Sequence, residues 1–134
     1  YLLARGQGAD IPTPLMLDYL GLVSGTSDQA QTSVSGEPPD FGGLPATGSY
    51  TLDFATPGLS AAADVLDPAM DAATAFAGNA GSAAVQKSAT AYRSLFLGFP
   101  LAAIPGDTEQ GVTVDAILQY CRSVDLIYAN GFEN

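Results

Sequence analysis

Apolar residues are unevenly spaced along this chain, and their spacing predicts both strands and helices. Residues 92–99 are predicted to form a strand, and they contain a continuous apolar stretch typical of a sheet covered on both faces. Residues 49–54 alternate apolar with polar side chains, as a strand with one buried face does. Two further short strands are predicted at 72–77 and 83–86, joined by a turn rich in Gly and Asn.

Two segments between these strands have weaker patterns. Residues 21–48 contain Gly, Ser, Pro and Asp throughout, which predicts a long surface excursion with one possible strand near 31–34. Residues 61–70 are ambiguous, because Pro68 would break any helix there.

A short, strongly apolar helix is predicted near the start of the chain. Thr13 is a good N-cap, Pro14 suits the first helical position, and Gly21 supplies the stop.

A longer helix is predicted to follow Pro105. Asp107 can cap it, with Gln110 as the reciprocal partner three residues later. Its last turn carries Arg122, where a cation favours the negative helix end. Its buried face is predicted from one apolar stripe at helical spacing: Val114, Ile117, Leu118 and Cys121.

Composition narrows the classes of function. The chain has 134 residues, the size of one domain, and a net charge of −10. Its four cations are scattered: Arg5, Lys87, Arg93 and Arg122. Because phosphate binding needs clustered cations, nucleic acid is excluded as a main partner, and an anionic membrane surface fits poorly.

Two residue types that commonly carry catalysis are nearly missing. The chain has no His, the usual general base near neutral pH and the commonest metal ligand. Its single Cys121 cannot form an internal disulfide, and its place on the apolar stripe favours a small buried hydrophobe over a nucleophile.

The sequence favours export. No apolar run reaches the ~18–20 residues that span a bilayer. A low fraction of charged residues (13%), few Lys and many small residues suit a secreted or cell-surface protein. Tyr1 is a poor native start, so we expect processing or a longer precursor upstream.

The order of these elements resembles the carboxyl-terminal part of a class I glutamine amidotransferase-like (flavodoxin-like) α/β domain of the kind attached to secreted bacterial peptidases. The resemblance covers residues 1–122, and rests on segments 2–7, 17–21 and 96–101. It implies a partial three-layer α/β fold with a mostly parallel sheet and an irregular β-rich insertion. Residues 123–134 form a carboxyl-terminal tail, similar to short endings on exported proteins of some Gram-negative bacteria.

The chain departs from this family where the family does its chemistry. Active amidotransferases place a Cys in the turn that corresponds to Gly6, Gln7 and Gly8, and the His that activates it has no counterpart here. The resemblance therefore implies a catalytically incompetent domain. The same turn could bind a small ligand or peptide, or be purely structural.

One acidic cluster is a candidate metal site. Asp64, Asp67 and Asp71 lie within eight residues, and Ca²⁺ prefers oxygen ligands. The spacing is not that of an EF-hand loop, so a solvated acidic face is the alternative. No other cofactor is indicated.

The predicted function is that of a non-catalytic accessory domain, or processed fragment, of a secreted hydrolase, above all a peptidase. It would aid folding, substrate positioning or surface association, with the rest of the precursor or another chain as partner. The alternative is a structural surface module that self-associates through exposed sheet edges. An enzyme would need catalytic groups from a partner chain.

Overall fold

A computed structural model describes residues 13–59 and 63–122, which form a β-rich domain with one long helix. The chain enters through a π-helical turn, Met16–Leu20, and a 3₁₀ turn, Leu101–Ala103, precedes the helix. The regular elements in chain order are β1 (Leu22–Gln29), β2 (Ser33–Gly36), β3 (Tyr50–Thr51), β4 (Ala63–Pro68), β5 (Ala73–Gly78), β6 (Gly81–Ser88), β7 (Arg93–Leu97) and α1 (Asp107–Arg122).

The strands form two antiparallel sheets. The larger has the order β3-β2-β5-β6-β7, and the smaller consists of β1 and β4. One face of the larger sheet packs against α1, whose Ile117 and Tyr120 join Leu95 and Leu97 of β7 in the main core. The other face packs against the smaller sheet and the π-helical turn through a second apolar cluster, which includes Val85, Leu22, Leu66, Phe96 and Met16.

This architecture contradicts the expected flavodoxin-like fold and the amidotransferase resemblance that implied it. Every strand pair in the described residues is antiparallel, whereas the family has a mostly parallel sheet. A parallel pair needs a crossover of about a dozen residues or more, usually a helix. Here β5, β6 and β7 follow one another through turns of two and four residues, so each strand reverses direction.

The apolar residues that follow Tyr92 were one reason to expect a parallel sheet. Its pattern predicts a strand buried on both faces, but β7 is an edge strand and all five of its residues are only partly buried. The rest of the run leaves the sheet, and Phe99 and Ile104 fill the main core from the loop around the 3₁₀ turn. A continuous apolar stretch does not distinguish a central strand from an edge strand followed by a buried loop.

Most other strand predictions are confirmed in position. The pair at 72–77 and 83–86 is the β5–β6 hairpin, and the possible strand near 31–34 is β2. Residues 49–54 form only the two-residue β3, although Tyr50 and Leu52 point into the core as the alternation predicts. The surface excursion predicted for 21–48 is wrong at its start, where β1 pairs with β4.

The ends of the first helical segment are as predicted. The backbone amide of Met16 donates to Oγ1 of Thr13 at 3.3 Å, and Gly21 closes the segment at φ 71°. The left-handed conformation explains the glycine at this position. The segment is nevertheless mostly exposed: Met16 and Leu20 pack inward, but Leu15, Leu17 and Tyr19 do not.

The longer helix is confirmed as α1, with Arg122 in its last turn, but it packs on a different face. Val114, Leu118 and Cys121 of the predicted stripe are exposed, while Thr113 and Tyr120 are buried. Polar residues can line the inner face because both find partners: Thr113 Oγ1 donates to the Glu109 carbonyl at 2.9 Å, and Tyr120 donates to the core strand β6.

The capping interaction predicted for α1 also differs. Nε2 of Gln110 donates to the carbonyl of Ile104 at 2.7 Å, so this side chain ties the helix to the preceding loop. Asp107 is the first residue of the helix, where its charge still suits the positive helix end.

Candidate functional site

The π-helical turn is fixed to the large sheet through its own carbonyl groups. Carbonyls at the end of a helix have no intrahelical partner and need donors from elsewhere. Here three successive carbonyls receive side-chain donors: Leu17 from Lys87 Nζ at 3.4 Å, Asp18 from the Tyr92 hydroxyl at 2.6 Å, and Tyr19 from the Ser94 hydroxyl at 2.5 Å. Strands β6 and β7 and the turn between them therefore hold the π-helical turn in one orientation.

Lys87 is the charged member of this clamp. The residue is buried, and its Nζ lies 2.8 Å from Oδ2 of Asp71 in the turn between β4 and β5. The hydrogen bond between them raises the pKa of Lys87 and lowers that of Asp71. One ion pair therefore joins the π-helical turn, the β4–β5 turn and the large sheet.

We expect the contribution of this pair to stability to depend on pH at both extremes. The lowered pKa of Asp71 means that its contribution is present above pH 3.8 and is lost as the pH falls through the folded-state value. The raised pKa of Lys87 means that its contribution is present below pH 10.5 and is lost as the pH rises through the folded-state value. Asp71→Asn should therefore lower the free energy of unfolding near neutrality, with a difference from wild type that shrinks in acid.

Urea unfolding across the acid range measures that difference. Asp115→Asn is the matched control, since it removes the charge of an exposed carboxylate on α1. A difference for Asp71→Asn that is equally large in strong acid would contradict the ion pair.

On the opposite face of the sheet, Tyr120 performs a similar structural task. Its hydroxyl donates to the Lys87 carbonyl at 2.9 Å, and the Arg93 guanidinium lies 5.0 Å from its ring centroid. Burial raises the pKa of Tyr120 to about 12. Arg93 also lies 4.0 Å from Asp40, and both side chains are partly exposed.

The surroundings of Cys121 do not favour a role as a nucleophile. The residue is exposed at the end of α1, which corrects its predicted burial. Partial desolvation raises the pKa of its thiol, although the charge of Arg93 opposes the shift. A thiol with a raised pKa is mostly protonated near neutrality and so reacts slowly.

The three candidate metal-binding carboxylates have separate environments. Asp64 is buried on β4, Asp67 accepts a hydrogen bond from Ser24, and Asp71 is paired with Lys87. Within residues 13–59 and 63–122, no three His, Cys, Asp or Glu side chains are grouped as metal ligands would be. The other candidate turn, Gly6, Gln7 and Gly8, lies outside the described residues.

An exposed apolar surface adjoins the Lys87 clamp. We call it the corner surface and define it by five side chains, each more than two-fifths exposed: Leu15, Leu17, Tyr19, Val23 and Met70. The π-helical turn and the β4–β5 turn meet there, because the amide of Ala69 donates to the Gly21 carbonyl at 2.8 Å. Val23 is the second residue of β1, next to the Leu22–Pro68 pair.

Sequence reasoning did not identify this surface. The apolar residues of the first helix indicated burial, and nothing in the spacing of Lys87 and Asp71 indicated an ion pair. The cluster of exposed hydrophobics depends on which side of the turn the sheet covers, which is a tertiary property.

Comparisons with known proteins give no relative for this chain: no family model, no curated protein and no solved structure matches it. No helix among the described segments is long and apolar enough to cross a membrane. The function must therefore be argued from the residues themselves.

Proposed function

We propose that this chain is a non-catalytic accessory domain, or processed fragment, of an exported hydrolase, and that it acts by surface association. The observation that carries the proposal is the contrast between its buried and exposed side chains. The strongly positioned ionisable groups, Lys87, Arg93 and Tyr120, hold main chain and core in place. Large apolar groups, by contrast, face solvent at the corner surface.

One feature of the sequence and one of the structure support the same interpretation. These 134 residues offer no imidazole to activate a nucleophile, so a Ser-His-Asp or Cys-His arrangement would need a His from the rest of a precursor or from another chain. Exposed apolar side chains that cluster on one surface are typical of protein interaction sites. A surface that binds and positions another chain fits both features.

Turnover assays on the full chain test the proposal. We expect no hydrolysis of amide, ester or peptide substrates above the rate of the same chain unfolded in urea. Sustained turnover that survives further purification and disappears on unfolding would overturn the non-catalytic role.

Self-association is a second candidate, and strand β1 is the observation that favours it. β1 is eight residues long and pairs on one side with β4, with no second strand partner in the described residues. Its other side is an open edge of the described sheet, through which two copies can pair, although register shifts between Leu22 and Ser24 and between Thr26 and Gln29 make this edge less regular.

A lysine on this edge separates the two candidates. If copies pair through β1, Thr26→Lys should abolish a concentration-dependent increase in mass measured by light scattering, because edge charges oppose strand pairing. Thr90→Lys, at an exposed position between β6 and β7, makes the same change elsewhere. A chain that is monomeric at all concentrations would exclude self-association.

A further inference from the structure

We propose that the corner surface is the docking site for a cationic, amphipathic peptide segment of another protein chain. The inference rests on the proposed accessory role and names the chemistry of the partner. It is carried by three properties of this surface: its apolar side chains, the sign of the charges around it, and its fixed geometry.

The corner surface exposes several large apolar side chains. Leu15 is 51% exposed, Tyr19 54% and Val23 47%, and Met70 is fully exposed. These side chains come from the π-helical turn and the residue just before it, from β1, and from the β4–β5 turn, so the surface extends across three neighbouring parts of the fold. A partner must therefore supply apolar side chains of its own to cover it.

The charges around the apolar side chains are negative. Asp18 and Asp67 are exposed, and the Asp71 side chain is 66% exposed although it is paired with Lys87. Lys87 itself is buried beneath the turn, with its side chain only 9% exposed, so it presents little positive charge to solvent. The partner that complements this rim carries positive charge.

The charge of the chain disfavours a second copy as the occupant. Each copy has a net charge of −10 and four cations. Lys87 is buried against Asp71 and Arg93 is partly buried near Asp40, which leaves Arg122 as the exposed cation of the described residues. A second copy would bring many more negative than positive charges to a negative rim.

The surface is also held in place before any partner arrives. The three carbonyl contacts from Lys87, Tyr92 and Ser94 fix the π-helical turn, and Gly21 ends it in a left-handed conformation. Binding to a fixed surface does not incur the cost of ordering it, which favours affinity for a flexible peptide.

Calorimetric titration of the full chain with a short helical peptide of Leu and Lys tests the apolar part. We expect binding that Leu15→Ser combined with Met70→Ser weakens about tenfold, since truncating central apolar contacts removes most of an interface's affinity. Leu118→Ser is the matched control, because Leu118 is 44% exposed on α1, away from the corner surface. Equal weakening by the control, or no binding at all, would overturn the proposal.

A second comparison tests the charge. The peptide with Glu in place of every Lys should not bind, and Asp18→Asn should weaken the Lys peptide more than Asp115→Asn does. Both substitutions remove one exposed carboxylate and change the net charge equally. If the two variants weaken binding to the same extent, the peptide responds to overall charge rather than to this surface, and the proposal fails.

Oxidation of Met70 by dilute peroxide tests the other possible occupants. We expect Met70 of the free chain to be oxidised faster than the half-buried Met16 at every protein concentration, and to be protected by the Lys peptide. Protection without peptide would overturn the proposal: at all concentrations it would assign the surface to another segment of this chain, and only at high concentration to a second copy. These experiments do not depend on turnover, so they can contradict the docking proposal without contradicting the accessory role.

Discussion

Replacing Gly36 by Ala is expected to lower the free energy of unfolding by about 3 kcal/mol, near the upper end of the usual cost of overpacking a core. A Cβ at this position would overlap the backbone oxygen of Phe41 and lie 2.9 Å from its carbonyl carbon. These are main-chain atoms and cannot rotate away. Phe41 is fully buried, with its ring centroid 5.3 Å from that of Phe76 and 5.5 Å from that of Tyr120, so displacing its backbone disturbs the aromatic core.

Gly111→Ala is the control for this experiment. Gly111 lies within α1, and no atom lies within 4 Å of the position that an added Cβ would take. Alanine there should therefore stabilise the chain by up to about 1 kcal/mol through helix propensity. Urea unfolding measures both variants. A Gly36→Ala variant as stable as wild type would show that β2 does not approach Phe41 this closely.

Truncating Phe76 to Ala is expected to lower the free energy of unfolding by about 3–5 kcal/mol, because it removes a fully buried ring and leaves a cavity. Phe76 lies on the central strand β5 and is fully buried, with ring contacts to Phe41 at 5.3 Å and Phe99 at 6.0 Å. It links the β2–β3 loop, the sheet and the loop before α1. Two of its neighbours are themselves buried aromatic rings, which cannot easily collapse into the space.

Met70→Ala is the matched control for the loss of a large side chain. Met70 is fully exposed, so its truncation should change stability by less than about 0.5 kcal/mol. Thermal unfolding followed by circular dichroism checks both variants. A loss of less than about 1 kcal/mol for Phe76→Ala would place Phe76 outside the core.

Local signals in the sequence predicted several elements correctly. Thr13 and Gly21 bound the first helical segment because capping depends on residues a few positions apart. The β5–β6 hairpin was predicted for a similar reason, since its turn residues and apolar flanks are adjacent in the chain.

Predictions that depended on distant partners were wrong. The α1 stripe was assigned inward on its hydrophobicity, but of its residues Ile117 alone packs against the core, and the sheet covers the face that carries Thr113 and Tyr120. Those side chains are buried because Tyr50 and the Lys87 carbonyl lie opposite them, 2.9 Å away in each case. Periodicity identifies a helix but does not include the hydrogen-bond partners that make a polar face the inner one.

At the candidate site, too, the sequence predicted some properties and the tertiary structure decided others. Composition alone established the shortage of cations and the lack of His, and with them the classes of chemistry that this chain does not supply by itself. The sequence did not indicate that Lys87 would be buried against Asp71 and Leu17, residues 16 and 70 positions away.

By itself, then, the sequence determined the composition, the ends of the first helical segment and of α1, and the positions of the β5 and β6 strands. The tertiary structure decided that the strands pair antiparallel, which face of α1 is buried, and that apolar residues of the first segment are exposed. The physical reason is range: caps and turns are fixed by neighbours in the chain, whereas strand pairing and burial are fixed by contacts between residues far apart in it.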